Sequence, residues 1–328
     1  MKKPNSSSQS LSILVLSAKG WGTGSALRAF YIAEAFKKRG HNVRFIKPLP
    51  TLPLWADMAL SLPYYLWQTL FSRYQVVFAV KPYPTVIPAM LWQRMLGAKL
   101  VIDVDDLDFA YSHRLFRKVH AAIQKPWPRK ADWVTYHNPK LLESIQDFFE
   151  VDKTKTIQVS QGVNEEVFNK KPIKLEDLPS KAAALKKAQK KNPILVFTAH
   201  LNVACDLEPA LHAFKKVLHD IPDAQLLVAG GGPDEGRFKK MAQDLTIAPS
   251  VHFTGMLTIR QVAACLKSAD LTLVYYADVP ANHHRASMKL REALACGKPV
   301  VATRVGESAQ LKDQVSLSDP NPASFGLS

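Results

Sequence analysis

Apolar residues gather in short runs separated by amphipathic stretches, and this alternation sets the reading of the chain. Leu11-Ser-Ile-Leu-Val-Leu16 has the pattern of a buried strand, Gly20-Trp-Gly-Thr-Gly24 breaks it, and helical spacing of apolar positions follows from Ser25 to Arg39. Strand, glycine turn and helix make the opening unit of an α/β sheet. Strand-like runs recur at Val43 to Ile46, Val76 to Val80, Leu100 to Asp103, Trp133 to Tyr136 and Thr156 to Val159, with helical patterns between most of them. Such runs predict parallel strands covered on both faces. Between Asn169 and Asn192 the pattern gives way to eight lysines against Glu176 and Asp177, which reads as a linker or solvated helix. A second series begins at Ile194 to Phe197 and continues through Leu226 to Ala229, Val251 to Phe253, Leu271 to Val274 and Pro299 to Ala302. The expected domains are 1–168 and 193–328, joined by a basic linker at 169–192.

A chain of 328 residues that is 47 % apolar and 22 % charged fits two soluble globular domains. Three scattered cysteines, Cys205, Cys265 and Cys296, argue against a disulfide framework and a Cys-rich zinc site. The polar start and the short Leu11 to Leu16 run do not make a signal peptide, so the expected location is cytoplasmic. No stretch is long and apolar enough for a spanning helix. Leu49 to Phe71 comes nearest, but its prolines favour a short helix lying in an interface.

The Gly20 to Gly24 turn precedes a helix N-terminus able to hold an anion, although it lacks dinucleotide-fingerprint spacing. Leu226-Leu-Val-Ala-Gly-Gly-Gly-Pro-Asp234 reads instead as a structural strand-to-helix turn, with Pro233 and Asp234 opening the helix. The most informative segment is Ser287-Met-Lys-Leu-Arg-Glu-Ala-Leu-Ala-Cys-Gly-Lys-Pro-Val-Val-Ala-Thr303. Ser287 can cap a helix ended by Gly297, with Lys289 and Glu292 on one face. The Ser287 and Met288 amides and Lys289 could hold a phosphate while Glu292 accepts hydrogen bonds from sugar hydroxyls. An ordinary surface salt bridge is the other reading of that spacing taken alone. Asp103, Asp105, Asp106 and Asp108 form the one acidic cluster, facing an acceptor or, less favoured, a hard cation. The histidines give no zinc-binding helical pair.

The 287–303 segment resembles the nucleotide-sugar signature of family 4 GT-B glycosyltransferases, in a Ser-x-Lys-x-x-Glu form. Gly162-Val-Asn-Glu-Glu-Val-Phe168, Ala131-Asp-Trp-Val-Thr135, Val251-His-Phe-Thr-Gly255 and Ser268-Ala-Asp-Leu271 are similar to other family segments, in family order. The resemblance implies two Rossmann-like α/β domains facing across a cleft. It further implies transfer of a sugar, with retention, from a nucleotide diphosphate sugar to a lipid-linked or cell-envelope acceptor, without metal or organic cofactor. Carried over by position, Glu292 binds the donor ribose, Ser287, Met288 and Lys289 lie by the diphosphate, and Gly255 and Met256 line the base pocket. Gly22, Thr23 and Gly24 face the diphosphate, while Asp105 and Asp106 stand on the acceptor side.

Where the family commonly has an arginine, a lysine and a first glutamate, this chain has His200, Cys205 and His284. The electropositive role then passes to Lys289 and Arg285, with His200 in the arginine's place. The family continues past the point where this chain ends, so the resemblance implies a shortened C-terminus. These departures keep open a second reading, a catalytically weak GT-B-like donor-binding or partner subunit. Lys+Arg exceed Asp+Glu by 43 to 28. Of that excess of fifteen, nine falls in 1–168, six in 169–192 and none in 193–328. A nucleic-acid binder would be a third reading, but no reading helix or stacking motif accompanies the charge. Arg114, Arg117, Lys118, Lys125, Arg129 and Lys130, interleaved with Tyr111, Phe116 and Trp127, point instead to peripheral contact of the first domain with the anionic inner face of the cell membrane.

Overall fold

The computed structural model describes residues 9–328 except 22, 51–53, 82, 108, 110–115, 189–191, 203–204, 322–324 and 326–328. The chain forms two compact units, 1–162 and 163–328.

The first unit is a six-stranded parallel sheet in the order β2-β1-β3-β4-β5-β6. Its strands are β1 (Ser12–Ser17), β2 (Asn42–Phe45), β3 (Val76–Val80), β4 (Lys99–Val104), β5 (Trp133–Tyr136) and β6 (Thr156–Gln158). The period of two is visible in burial. Leu14, Leu16, Val77, Ala79, Leu100 and Ile102 pack on one face with Tyr65, Met90 and Leu141. Ile13, Val15, Phe78 and Val80 pack on the other with Ala29 and Ala33. The helix α1 (Gly24–Lys38) thus lies opposite α2 (Leu54–Leu70) and α3 (Ile87–Met95). Pro63 lies inside α2, so the proline-bearing segment is one helix of 17 residues. Among the described residues no helix is long and apolar enough to cross a membrane.

The second unit repeats the architecture in the order β12-β11-β10-β7-β8-β9, again all parallel. These strands are β7 (Ile194–Thr198), β8 (Gln225–Ala229), β9 (Val251–Phe253), β10 (Leu271–Val274), β11 (Val300–Thr303) and β12 (Ser316–Ser318). Ile194 and Val196 face a core with Ala263, Leu266, Leu290 and Ala293. Leu195 and Phe197 face another with Leu211, Phe214 and Phe238. Two doubly wound α/β units are what the hydrophobic pattern predicts.

The boundary differs from the expected one. The first unit ends at Gly162, not 168, because Phe168 is buried in the second unit's core. Nor is 169–192 a linker over its described residues. Leu178 and Ala182 are buried in that same core. Lys181 donates to the Phe253 carbonyl at 2.6 Å, Lys186 to the Ser268 carbonyl at 3.3 Å, and Asn169 accepts from Lys267 at 3.1 Å. Periodicity could not show this, since a lysine that buries its stem and bonds a carbonyl reads as a solvated residue.

Candidate functional site

Open parallel sheets bind ligands outside the carboxyl ends of their strands, where the strand order reverses. In the second unit that point lies between β7 and β10, so a ligand site is expected at the loops that follow these strands.

After β10 the chain runs through a braced loop into the Met288–Ala295 helix. Tyr276 and Thr303 exchange hydrogen bonds of 2.9 Å in both directions, tying the loop to the end of β11. Ser287 caps the helix, accepting from the Leu290 amide at 3.2 Å, and its hydroxyl meets the Tyr276 hydroxyl at 3.0 Å. The Ser287 amide is not available to a phosphate, because it donates to the buried Glu307 carboxylate at 2.8 Å. Glu307 also receives the Arg291 guanidinium, with Nε at 2.7 Å. Gly306, just before it, has φ +61°, and a Cβ there would stand 2.5 Å from the Asn282 carbonyl oxygen. This corner is held by a residue that sequence reasoning missed, since Glu307 lies twenty positions from the amide it accepts. The Met288 and Lys289 amides remain at the helix start, where N–H groups lack intrahelical partners.

Lys289 does not pair with Glu292. Its Nζ lies 5.3 Å from the centroid of the Phe197 ring, at the end of β7. The Cys205 thiol beside it is pushed up mainly by burial, with the lysine pulling the other way. Glu292 is partly buried, and no described residue donates a hydrogen bond to its carboxylate. Burial pushes the Glu292 carboxyl up to about 7, with Lys289 pulling it down. A carboxylate partly withdrawn from water, with no donor among the described residues, has its lone pairs open to hydroxyl donors. Arg285 stacks 5.5 Å above the Tyr276 ring, His284 is bonded to the Pro280 carbonyl at 2.9 Å, and His200 is exposed just beyond β7.

The loops after β7, β8 and β9 interlock through backbone. A Cβ on Gly230 would stand 1.9 Å from the Ala199 oxygen, on Gly231 2.7 Å from the Met256 nitrogen, and on Gly232 2.2 Å from the Leu201 oxygen. The triple glycine is therefore structural, as its sequence reads. The following helix starts at Glu235, however, and Asp234 makes no side-chain cap. Gly255, with φ +76°, bridges Gly230, and Met256 is exposed at the rim. A cavity of about 1080 Å³ also opens in this unit, reached by Cys205 and Asp206 after β7 and by Tyr275 and Ala277 after β10. Ser287, Lys289, Glu292 and Gly255 do not line it.

In the first unit the order reverses between β1 and β3. Thr23 caps α1, accepting from the Ala26 amide at 3.3 Å and donating to the Gly20 carbonyl at 2.9 Å. A Cβ on Gly24 would meet no atom within 4 Å, so that glycine leaves open room. Gly22 lies outside the described residues. The acidic cluster divides. Asp103 does not face an acceptor or a cation, because it is fully buried and bound by Arg28 at 2.7 and 2.8 Å and by Thr135 at 2.5 Å. Asp105 and Asp106 meet Lys81 at 3.4 and 3.7 Å. Lys81, which the sequence reading passed over, is buried at the end of β3 with φ 52°. Asp108 lies outside the described residues, and among those described no three His, Cys, Asp or Glu side chains converge to hold a metal ion.

Residues 179–315 match the family of glycosyl transferases group 1. The chain is 27 % identical over 183 residues to the GDP-mannose-dependent α-(1-6)-phosphatidylinositol dimannoside mannosyltransferase of Mycobacterium tuberculosis. That alignment spans 54 % of this chain and 43 % of the relative. Over 162 residues it is 28 % identical to the α-monoglucosyldiacylglycerol synthase of Streptococcus pneumoniae, spanning 49 % of this chain and 35 % of the synthase. The chain thus covers less than half the length of these curated relatives. Among solved structures, the sucrose-phosphate synthase of Thermosynechococcus elongatus superposes with a TM-score of 0.73 at 17 % identity, covering 95 % of this chain and 87 % of that one. HepE of Anabaena, in complex with UDP and glucose, gives 0.67 at 16 % identity, covering 97 % and 88 %. At such identities the likeness shows a shared fold, that of the GT-B glycosyltransferases.

Proposed function

We propose that this chain, whose residues 179–315 match the family of glycosyl transferases group 1, is a glycosyltransferase that moves a hexosyl group from a nucleotide diphosphate sugar to a lipid-linked or cell-envelope acceptor with retention of configuration. The observation that carries this reading is the pairing of a capped helix start and Lys289 with a desolvated, donor-less Glu292 one turn on. Nucleotide sugars combine a diphosphate with vicinal ribose hydroxyls, and the helix offers a partner to each. Glu292 accepts from the ribose. The Met288 and Lys289 amides and the Lys289 ammonium hold the diphosphate, Gly255 and Met256 flank the base, and Arg285 and His200 add positive charge. Within the first unit, the turn at Thr23 and Gly24 is assigned to anion binding, and Asp105 and Asp106, gripped by Lys81, orient the acceptor.

The barrier lies in expelling a diphosphate carrying about two negative charges, so cations and helix amides aimed at the leaving oxygens do most of the work, each worth about 3 kcal/mol. The nucleotide sugar is a co-substrate, and the reading assigns no further cofactor. The acceptor is met at the inner face of the cell membrane, with the enzyme held there peripherally. Among the relatives, one is described as acting on a phosphatidylinositol dimannoside and another as making a glucosyldiacylglycerol. That supports a lipid acceptor.

A second reading, a donor-binding or partner subunit of little activity, is favoured by Cys205. It holds the place of a family lysine, and burial keeps its thiol neutral. Purified protein with UDP-, GDP- and ADP-sugars and membrane lipid distinguishes the two. Sugar transfer establishes the enzyme, whereas tight donor binding without transfer sinks it in favour of the subunit.

A further inference from the structure

The outer surface of the first unit carries several large apolar side chains of the kind a globular protein buries. In α2 the buried face is Ser61, Tyr65 and Thr69, four residues apart. Tyr65 donates to the Ser17 carbonyl at 2.6 Å and Thr69 to the Tyr65 carbonyl at 3.0 Å. The face turned outward is Leu60, Trp67 and Phe71, exposed by 55, 67 and 81 %, with the exposed Pro63 between them. Trp67 and Phe71 contact edge to face at 5.8 Å. Gln93 of α3 donates to the Thr69 and Ser72 carbonyls at 2.8 and 2.7 Å, and Trp92 to the Leu70 carbonyl at 3.2 Å, fixing α3 to the end of α2. From α3, Leu91 and Met95 project into solvent, Met95 by 80 %.

Toward the end of α2 the border of this surface is basic, although Arg94 and Lys99 farther along are both paired with Asp132. From Met58 to Ile102 the sequence holds no Asp or Glu but has Arg73, Lys81, Arg94 and Lys99. Arg73 is exposed beside Phe71, and the Arg44 guanidinium is anchored at the same end of α2 by Gln68 at 2.5 Å, Ser72 at 3.5 Å and Tyr74 at 3.4 Å. A helix of 17 residues is about 25 Å long. One that shows aromatic and aliphatic side chains outward, with arginines at its border, has the form of a helix lying in a lipid interface. The basic stretch around residue 117–130 fits less well. Lys125 and Arg129 are both paired with Glu150, at 2.7 and 2.6 Å, and Trp127 packs against the core. Arg114 and Tyr111 lie outside the described residues.

We infer that the α2–α3 surface, with Trp67 and Phe71 at its centre and Arg73 and Arg44 at its edge, is the face by which this protein docks on an anionic lipid bilayer. Arg44 and Arg73, which make no ion pair among the described residues, match anionic headgroups, and the bulky apolar side chains match the headgroup–acyl boundary. The inference deepens the peripheral-membrane part of the reading above and rests on it.

Flotation with vesicles tests it. The full chain is expected to bind vesicles of phosphatidylglycerol and phosphatidylcholine and to bind phosphatidylcholine alone much more weakly. Trp67→Glu with Phe71→Glu should weaken binding by about tenfold or more, and Arg73→Gln by about fivefold, with circular dichroism unchanged. Phe116→Glu, in the basic stretch, should leave binding as it is. The inference is overturned if the parent ignores anionic vesicles, or if the double variant binds as the parent does. It is equally overturned if size-exclusion chromatography shows a dimer that the same substitutions dissolve. Calorimetric titration with nucleotide sugars, run without vesicles, keeps the two readings apart. Lost donor binding with intact vesicle binding breaks the transferase assignment and leaves the docking face standing.

Discussion

Replacing Glu292 by glutamine should separate stability from function. The folded carboxyl holds its proton until about 7, against 4.5 for the ordinary group, because burial disfavours the charge more than Lys289 relieves it. Between those two values the folded state binds the proton and the unfolded state does not, so the parent loses stability as pH rises through that window. At about 1.4 kcal/mol for each tenfold difference in proton affinity, the full cost above pH 7 is about 3 kcal/mol. Glutamine keeps the shape and never ionises. Glu292→Gln should therefore match the parent near pH 4 and exceed it by about 3 kcal/mol at pH 8. For a unit of this size that is a rise in Tm of about 6 to 12 °C in the second unit's transition. The same variant should bind a nucleotide sugar about tenfold or more weakly, since hydrogen bonds to a charged acceptor are worth about 1.5 to 3 kcal/mol. Scanning calorimetry from pH 4 to 8, with titration of donor into both proteins, reads both effects. A difference in Tm that stays flat with pH, or a variant less stable at pH 8, would refute the desolvated carboxylate. Unchanged donor affinity would refute its role.

Other outcomes follow from the same geometry. Lys289→Met should lower kcat by about 100- to 1000-fold while the circular dichroism spectrum stays that of the parent, since in the proposed site it removes one cation aimed at the leaving group. Donor affinity of the parent should fall up to about tenfold for each pH unit below 7, because the proposed ribose contact draws on the ionised Glu292; a titration flat from pH 5.5 to 8 would contradict this. Arg28→Met should destabilise the first unit by about 3 to 5 kcal/mol in urea unfolding, because it strands the buried Asp103. Gly232→Ala should cost about 3 kcal/mol or more, because its Cβ would meet backbone rather than a movable side chain.

The strands were legible because each is a short apolar run that must be covered on both faces, and β3, β5, β9 and β10 fall on the residues the pattern marks. The edge strand β12, Ser316–Ser318, was not, because two of its three residues are serines and one side of it has no neighbour. The helix cap at Ser287 could be read from local spacing. Its electrostatic support could not, since Glu307 reaches Ser287 across 20 positions, and neither could the buried Arg28–Asp103 pair of the first unit, which spans 75. The position of Lys81 was hidden for a further reason, because a lysine at a strand end looks exposed until the tertiary fold closes over it. For α2 the amphipathic pattern was visible, but not which face is buried. Only the hydrogen bonds of Tyr65 and Thr69 show that the polar residues point inward.

The lysine-rich stretch before β7 also governs how this protein can be cut. A fragment begun at residue 193, where the second hydrophobic series starts, would strip Phe168, Leu178 and Ala182 from their core. It would also leave the Phe253 and Ser268 carbonyls without their lysine donors. Lys170, whose stem lies against the Gly297 turn, would go as well. A fragment begun at Val163 keeps all of these. The shortest autonomous piece that could be screened against nucleotide sugars is therefore thirty residues longer than the alternation of strands and helices alone would mark out, and its added segment carries eight lysines against four carboxylates.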